Sequence, residues 1–397
     1  MLDRSPFPAP DASSIDSSRI VRADYSDPAY ATLAASAQRA WRDASPGALG
    51  EGRYSESGLV IVANGDQGEG YVRASLENVR RLEEGRAVQE LKGRRDIEDV
   101  VGTGGGSGRW GYVNWRSGWA DAEAGMKWLR ERVEGTGRVQ FVCAEVVRLV
   151  TEGKRVVGVR LSDGSAVRAD LVVLATGAWT GNLVDLRGRA TATGQVLVYL
   201  DLTAEEQEKL GKMPVLLNMS SGLFIIPPRN RVLKVARHAY GYSNPTNIQA
   251  PDGSGKLIEV SLPRTTVDDP NQWVPQEGEE ACRAALREMI PSLGDRPFAK
   301  TRICWYNDTP KGDFLITYHP ELEGLFLATG GSGHGYKFLP VIGDQIVKCI
   351  GGRCPADFAR KWAWPTDAVE KVVTEDGSRG GRRGLILEDE MRKGVKL

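Results

Sequence analysis

The sequence predicts an α/β fold containing a parallel sheet, and three observations predict it. Two apolar runs, 171–177 (LVVLATG) and 325–330 (LFLATG), each stop at glycine. A continuous apolar run is what a strand buried on both faces requires, as in a parallel sheet. The first run is led in by two hairpins, and the second runs into a glycine-rich turn and a helix.

The first thirty residues are polar and turn-rich. Tyr30 to Ala44 then reads as a helix, because Leu33, Ala34, Ala37, Ala40 and Trp41 fall on one face. A second helix is expected over 75–91. The stretch 102–109 (GTGGGSGR) does not fit G-x-G-x-x-G and reads as a surface connection. A strand is expected from Val139 to Val147. A turn at Gly153-Lys154, a strand over 155–161 and a turn at Asp163-Gly164 follow. Strand-like pieces recur at 195–202, 223–226 and 232–236, with a helix near 279–289. A helix should follow the second glycine turn over 340–350. The charged, glycine-rich tail after Gly351 reads as surface.

Hydrophobic residues make up 41% of the 397, enough for a real core and two domains. Lys plus Arg equals Asp plus Glu at 52 each, which leaves no basic footprint for nucleic acid. No apolar run approaches the roughly 20 residues of a membrane span, and the N-terminus has no secretory pattern. The five cysteines form no CxxC pair, which reads as reduced and intracellular. The last residues, Val395-Lys396-Leu397, are near the Ser-Lys-Leu peroxisomal address, so the expected location is cytoplasmic or peroxisomal. No metal site is expected.

Three segments carry chemistry. Residues 330–335 hold four glycines, Gly330, Gly331, Gly333 and Gly335, which let the backbone pass close to a ligand or simply turn tightly. The helix that follows aims free N–H groups at whatever sits there. His334 and Lys337 favour a site, since cations are unfavourable at a helix start unless they face a ligand. In 232–240 (VLKVARHAY), alternation puts Lys234, Ala236 and His238 on one face and Leu233, Val235 and Arg237 on the other. That face is a polar pocket or a solvated surface. Cys304, in the aromatic segment 301–310, taken alone reads as a small buried apolar residue.

These segments, in this order, resemble the sarcosine oxidase-like flavoenzymes. The likeness spans almost the whole chain and is strongest in 302–313 (RICWYNDTPKGD) and 327–340 (LATGGSGHGYKFLP). Arg19 to Arg22 with Asp24-Tyr25, 114–122 (NWRSGWADA) and 175–179 (ATGAW) resemble further parts of that family's flavin domain. The resemblance implies a glutathione-reductase-like FAD-binding domain of the D-amino-acid-oxidase type, from 1–50, 111–188 and 306–352. It also implies a substrate domain on a mixed or antiparallel sheet, from 51–110 and 189–305, with 353–397 as a tail. It implies FAD, contacted by Asp3, Arg19, Ile20, Arg22, Val146, Gly177, Trp179, Gly331, Gly333, His334, Gly335 and Lys337. Cys304 is its implied thioether attachment. Lys234 is implied to promote reaction with oxygen, through a fixed cation beside developing charge. His238 and Lys337 are implied to orient the substrate, Lys337 by its carboxylate, and Tyr306 to line the pocket. The implied reaction takes a secondary amine or amino acid and O2 to an imine and hydrogen peroxide, in a monomer. The segments CWYNDTPKGDF and ARHAYGYSNP look more like fungal pipecolate or saccharopine oxidases than bacterial sarcosine oxidases.

Members of that family open with strand, G-x-G-x-x-G, helix and a second strand ending in an acid. Here Leu2-Asp3-Arg4 reads as the end of that second strand, so the domain is expected to be N-terminally truncated. Three readings stay open: a mis-assigned gene start, an inactive relative, or a chain holding flavin through its remaining contacts. The chain as given is expected to bind FAD poorly. A tailoring role on an amine-bearing natural product is a further alternative.

Overall fold

The computed structural model describes residues 1–82, 87–270 and 272–394. Its ten-stranded sheet follows from long apolar alternation in the middle of the chain. Strand Thr191–Asp201 is its hub, antiparallel to Val232–Arg237 on one side and to Lys300–Asp308 on the other. From Val232–Arg237 the sheet continues through Leu223–Arg229, Val215–Asn218, Leu59–Ala63 and Trp110–Asn114 to Val88–Leu91. On one face, Val196, Val198, Leu200, Leu233, Val235, Ile303 and Trp305 pack against Cys282, Ala285, Leu286 and Met289 of helix Gln276–Met289. Each fully buried side chain of this kind contributes roughly 1.5–3 kcal/mol. The opposite face carries Leu197, Tyr199, Ala236 and Cys304 together with Lys234.

The first helix spans Pro28–Arg42 and starts two residues before its expected position. Asp27 caps it by accepting from Ala29 N at 2.9 Å, and Pro28 occupies the first turn, where its missing N–H costs nothing. The second helix is displaced: it runs Asp66–Leu82, and Val88–Leu91 is a strand instead. Its start is kinked at Gly68 (φ +82°), packed against Met219, which hides the helical period at that end. Residues 83–86 of that expectation lie outside the described residues.

The glycine-rich 102–109 stretch is not a surface connection. Residues 105–108 are buried, and the loop caps the end of helix Gln276–Met289: Thr103 Oγ1 donates to Met289 O (2.5 Å) and Gly106 N to Glu288 O (3.1 Å). A Cβ at Gly105 would stand 2.3 Å from Glu288 O, so glycine is there for close approach.

The expected strand from Val139 resolves into Val142–Cys143 and Val146–Glu152, and the hairpin to Arg155–Leu161 forms as expected. The apolar run at 171–177 yields only a three-residue strand, Val172–Leu174, parallel to Leu325–Thr329. Leu325, Phe326 and Leu327 are wholly buried, as a two-faced strand requires. Val173 is 43% exposed, so Val172–Leu174 is buried on one face only. The parallel pair Leu2–Asp3 with Val142–Cys143 forms a sheet of its own.

The tail departs most from expectation. Thr374, Ser378, Arg379, Leu385 and Leu387 are buried, and Leu385–Ile386 adds a strand to the large sheet. The terminal tripeptide 395–397 lies outside the described residues.

Candidate active site

The antiparallel register of three strands builds one wall of the site. Tyr199 lies opposite Lys234, Leu197 between Ala236 and Arg302, and Thr193 opposite Tyr306. The period of two then sets Lys234, Ala236, Arg302, Cys304 and Tyr306 on the same face. His238 follows directly after the strand. This face is buried rather than solvated: Lys234 is 2% exposed and Cys304 3%.

Lys234 is neutralised within the protein. Its Nζ donates to Asp16 Oδ2 (3.1 Å) and to the Ser18 carbonyl. Arg19 also binds the Asp16 carboxylate, Tyr199 Oη donates to Asp16 Oδ1 (2.9 Å), and Arg19 Nη2 stands 3.7 Å from Cys304 Sγ. Burial alone pushes the Asp16 carboxyl up, but Lys234, Arg19 and Arg302 outweigh it and hold it well below the usual carboxylate range. Burial also pulls the Lys234 ammonium down, and Asp16 offsets part of that, leaving about 8. The two groups shift by unequal amounts, yet both are charged near neutrality.

The second wall is the turn after Leu325–Thr329. Gly333 (φ +68°) lies against Tyr306; a Cβ there would stand 2.3 Å from the ring. His334 Nε2 must donate to Gly312 O (2.7 Å), so Nδ1 accepts from Tyr25 Oη (3.0 Å). Tyr25 Oη in turn accepts from Lys337 Nζ (3.0 Å), which also donates to His334 O. Arg22 lies over the Tyr25 ring, 4.8 Å from its centroid. Arg22 Nη2 donates to Tyr71 Oη (3.2 Å), and its buried Nη1 has no partner. Among the described residues neither Arg22 nor Lys337 has an ion-pairing carboxylate. Burial, then Arg22, pushes the Lys337 ammonium well below its ordinary value.

His238 joins the walls. Arg379, from the tail, places Nη1 2.8 Å from His238 Nδ1 and 3.0 Å from Nε2, and Tyr306 Oη is 3.4 Å from Nδ1. A guanidinium only donates, so the imidazole facing it is neutral. Burial, then Arg379, pushes His238 well below the usual imidazole value. Arg379 Nη2 also binds Asp308 Oδ1 (2.5 Å) and donates to Ser332 O (2.9 Å), tying tail, strand and turn together.

Most expected residues therefore meet: Lys234, Cys304, Tyr306 and Arg19 on one wall, and Arg22, Gly331, Gly333, His334, Gly335 and Lys337 on the other, with His238 between. Ile20 lies in strand Arg19–Val21, paired with Trp119. Gly177 (φ +51°) receives Asn307 Nδ2 at its carbonyl (2.5 Å), which links the ATG strand end to the Cys304 strand. Trp179 follows in the same turn and packs under Arg4. Asp3 and Val146 lie apart: Asp3 is exposed and accepts from Ser5 N, and Val146 sits in the hairpin opposite Leu161. Asp16 and Arg379 were not among the expected residues.

The residues fit a flavin ring system. The site combines unpartnered buried atoms (Arg22 Nη1, Asn307 Oδ1), donors from Arg19 and Lys234, and an open backbone, since a Cβ at Gly177 or Gly331 would meet nothing within 4 Å. Buried donors of this kind suit an electron-rich ring edge. With a thiol, a fixed cation and a glycine turn meeting on this sheet arrangement, the chain falls in the class of flavin-binding oxidoreductases.

The chain belongs to the FAD-dependent oxidoreductase (DAO) family, whose model matches residues 1–348. It is 32% identical to an amino acid oxidase of Aspergillus flavus, covering 86% of this chain and 83% of that protein. It is 27% identical to the L-saccharopine oxidase of Schizosaccharomyces pombe, over 92% and 87%. Among solved structures it resembles the deglycating fructosamine oxidase of Aspergillus fumigatus (TM-score 0.80, 28% identity, 97% and 88% covered). A fructosyl peptide oxidase matches the fold with TM-score 0.87 at 24% identity, over 98% and 90%.

Proposed function

We propose that the chain is an FAD-dependent oxidase of an amino acid bearing a secondary amine, of the pipecolate, saccharopine, sarcosine or fructosyl amino acid type. One observation carries this most directly. Arg22 and Lys337 are both buried beside Tyr25, and among the described residues neither forms an ion pair with a carboxylate, Asp24 acting on Arg22 only without direct contact. A buried charge without a partner is costly, and a substrate carboxylate between them relieves the cost. The names of the relatives support the same class.

FAD, when bound, would accept hydride from the carbon next to nitrogen and pass electrons to O2. Cys304, Arg19, Gly177 and the 331–337 turn would hold it, Cys304 as a thioether. Arg22 and Lys337 grip the carboxylate. The Lys337–Tyr25–His334 chain holds the Lys337 nitrogen in place while the substrate binds. Neutral His238, its acceptor nitrogen held by Arg379, forms with Tyr306 an uncharged wall beside the amine, which must lose its proton before reacting. Lys234, fixed by Asp16, keeps a positive charge on the opposite wall, where oxygen takes up electrons. The imine product hydrolyses, and hydrogen peroxide leaves.

The test is reduction of the bound flavin's visible band, with peroxide release, by a panel of N-substituted amino acids and their decarboxylated analogues. Reduction by amino acids alone supports the proposal. Equal reduction by the amines sinks the carboxylate clamp, and no reduction by any member sinks the oxidase.

The detached Leu2–Asp3 pair and the exposed Val173 favour a second reading, a relative with weak FAD binding and no turnover. A purified chain without flavin absorbance after incubation with FAD is its signature. Flavin that survives acid precipitation excludes it.

A further inference from the structure

We propose that Cys349 and Cys354 form a peroxide-sensitive dithiol that closes to a disulfide at the joint between helix Leu339–Ile350 and the tail. The two Sγ atoms stand 2.7 Å apart, closer than non-bonded sulfurs pack. The intervening turn is built to hold them there. Gly351 N donates to Val347 O (3.0 Å), Gly352 N to Cys349 O (3.0 Å) and Arg353 N to Lys348 O (2.8 Å), with Gly352 at φ +71°. A disulfide needs its side chains already facing one another, and here the two sulfurs already meet. No other cysteine pair is in contact among the described residues: Cys143 is exposed, while Cys282 and Cys304 lie on opposite faces of the large sheet.

Access sets the order of events. Cys349 is buried and Cys354 is partly open, so peroxide meets Cys354 first. The Cys354 thiolate attacks one peroxide oxygen: an S–O bond forms, the O–O bond breaks, and hydroxide leaves as water after taking up a proton. The Cys349 sulfur then attacks the sulfenic sulfur of Cys354. The S–S bond forms, the S–O bond breaks, and the Cys349 proton leaves with the hydroxyl as a second water. Two thiols are oxidised by two electrons in all, and one peroxide is reduced to two waters. Burial and the contact with Cys354 push the Cys349 thiol up to about 12, which keeps it inert until its neighbour is activated.

The bond would sit behind the candidate active site. Both cysteines pack with Phe338, Phe358, Trp362 and Tyr30. Trp362 Nε1 donates to Tyr30 Oη (2.9 Å), and the Tyr30 ring lies 5.5 Å from that of His334. Oxidation therefore fastens the root of the tail to the helix that leaves the 331–337 turn. The chemistry does not depend on the proposed oxidase activity, because peroxide can be added from outside.

The experiment treats the full chain with hydrogen peroxide, alkylates free thiols after unfolding, and maps tryptic peptides. Trypsin cuts after Lys348 and Arg353, so the disulfide joins peptide 349–353 (CIGGR) to peptide 354–360 (CPADFAR). The expected result is that linked pair, a loss of two alkylatable thiols relative to untreated chain, and full recovery with a dithiol reductant. Cys354→Ser should abolish the linked pair, and Cys349→Ser should leave Cys354 to proceed to sulfinic acid. Separate, fully alkylated 349–353 and 354–360 peptides after peroxide would overturn the proposal. So would loss of two thiols in Cys354→Ser, or linkage of either cysteine to Cys143.

Discussion

Two buried lysines face the same site in opposite electrostatic settings. Lys234 is tied to Asp16 in a pair whose side chains are 2% and 1% exposed. Lys337 is also buried, yet among the described residues it hydrogen-bonds only to a phenol and a carbonyl, with Arg22 nearby. The first is a finished structural charge. The second is an unfinished one, and its destabilisation is what makes it receptive to an anion. On the proposed reading the protein separates a permanent cation from one that a substrate carboxylate completes.

The comparison breaks most visibly at Asp16. Asp16→Ala leaves Lys234 and Arg19 buried without their shared carboxylate and should cost about 3–5 kcal/mol, read from urea unfolding. Lys337→Met should leave unfolding unchanged or slightly harder, because it removes a desolvated amine at similar volume. Equal losses in the two variants would erase the distinction. Lys337→Met should instead weaken a bound amino-acid analogue by about 1.5–3 kcal/mol, roughly ten- to 150-fold in Kd, followed by flavin absorbance.

The same contrast can be sharpened by pH. Lys337 sits well below its ordinary value, and a bound carboxylate raises it, so binding takes up a proton. A carboxylate ligand without an amine should therefore bind more weakly as pH rises, and Lys337→Met should flatten that slope. A slope that survives the substitution points to another group.

His238 and His334 are both held well below the imidazole range, burial being the first cause. The unfolded chain takes up protons below about 6.5 that the folded chain refuses, so stability should fall as pH drops through that value. Asp16 adds a further loss below about 3.9, where the unfolded carboxyl protonates first. Urea midpoints at pH 8 and 5.5 check the first part; equal midpoints would contradict it. The smallest effect belongs to Cys304→Ser, which should change stability by about 1 kcal/mol or less. Its signature is flavin that washes out on acid precipitation, where the parent chain retains it.

Alternation made the Lys234 wall readable in the sequence, because a period of two survives any twist of the sheet. It set Lys234, Ala236 and His238 together, and the same period carries Cys304 and Tyr306. It could not say whether that face was wet, since burial depends on segment 12–18, which lies over it through Arg302 bonds to the Ala12 and Ile15 carbonyls. Asp16 was illegible for the same reason: it sits in an irregular loop with no period. Arg379 was hidden in a charged, glycine-rich stretch that resembles any surface tail. The one available signal was Gly380, where a Cβ would stand 2.3 Å from the Ser221 backbone and so marks close packing. At 171–177 the composition was right for a two-faced strand, but what packs on each face decides burial, and the face that carries Val173 is left open.

The Arg379 bridge also governs when the molecule becomes whole. The guanidinium that clasps Asp308 and His238 emerges from the ribosome after every other group of the pocket. Until it docks, Asp308 has the Thr193 hydroxyl but no cation. Displacing that one guanidinium would release strand, histidine and glycine turn together.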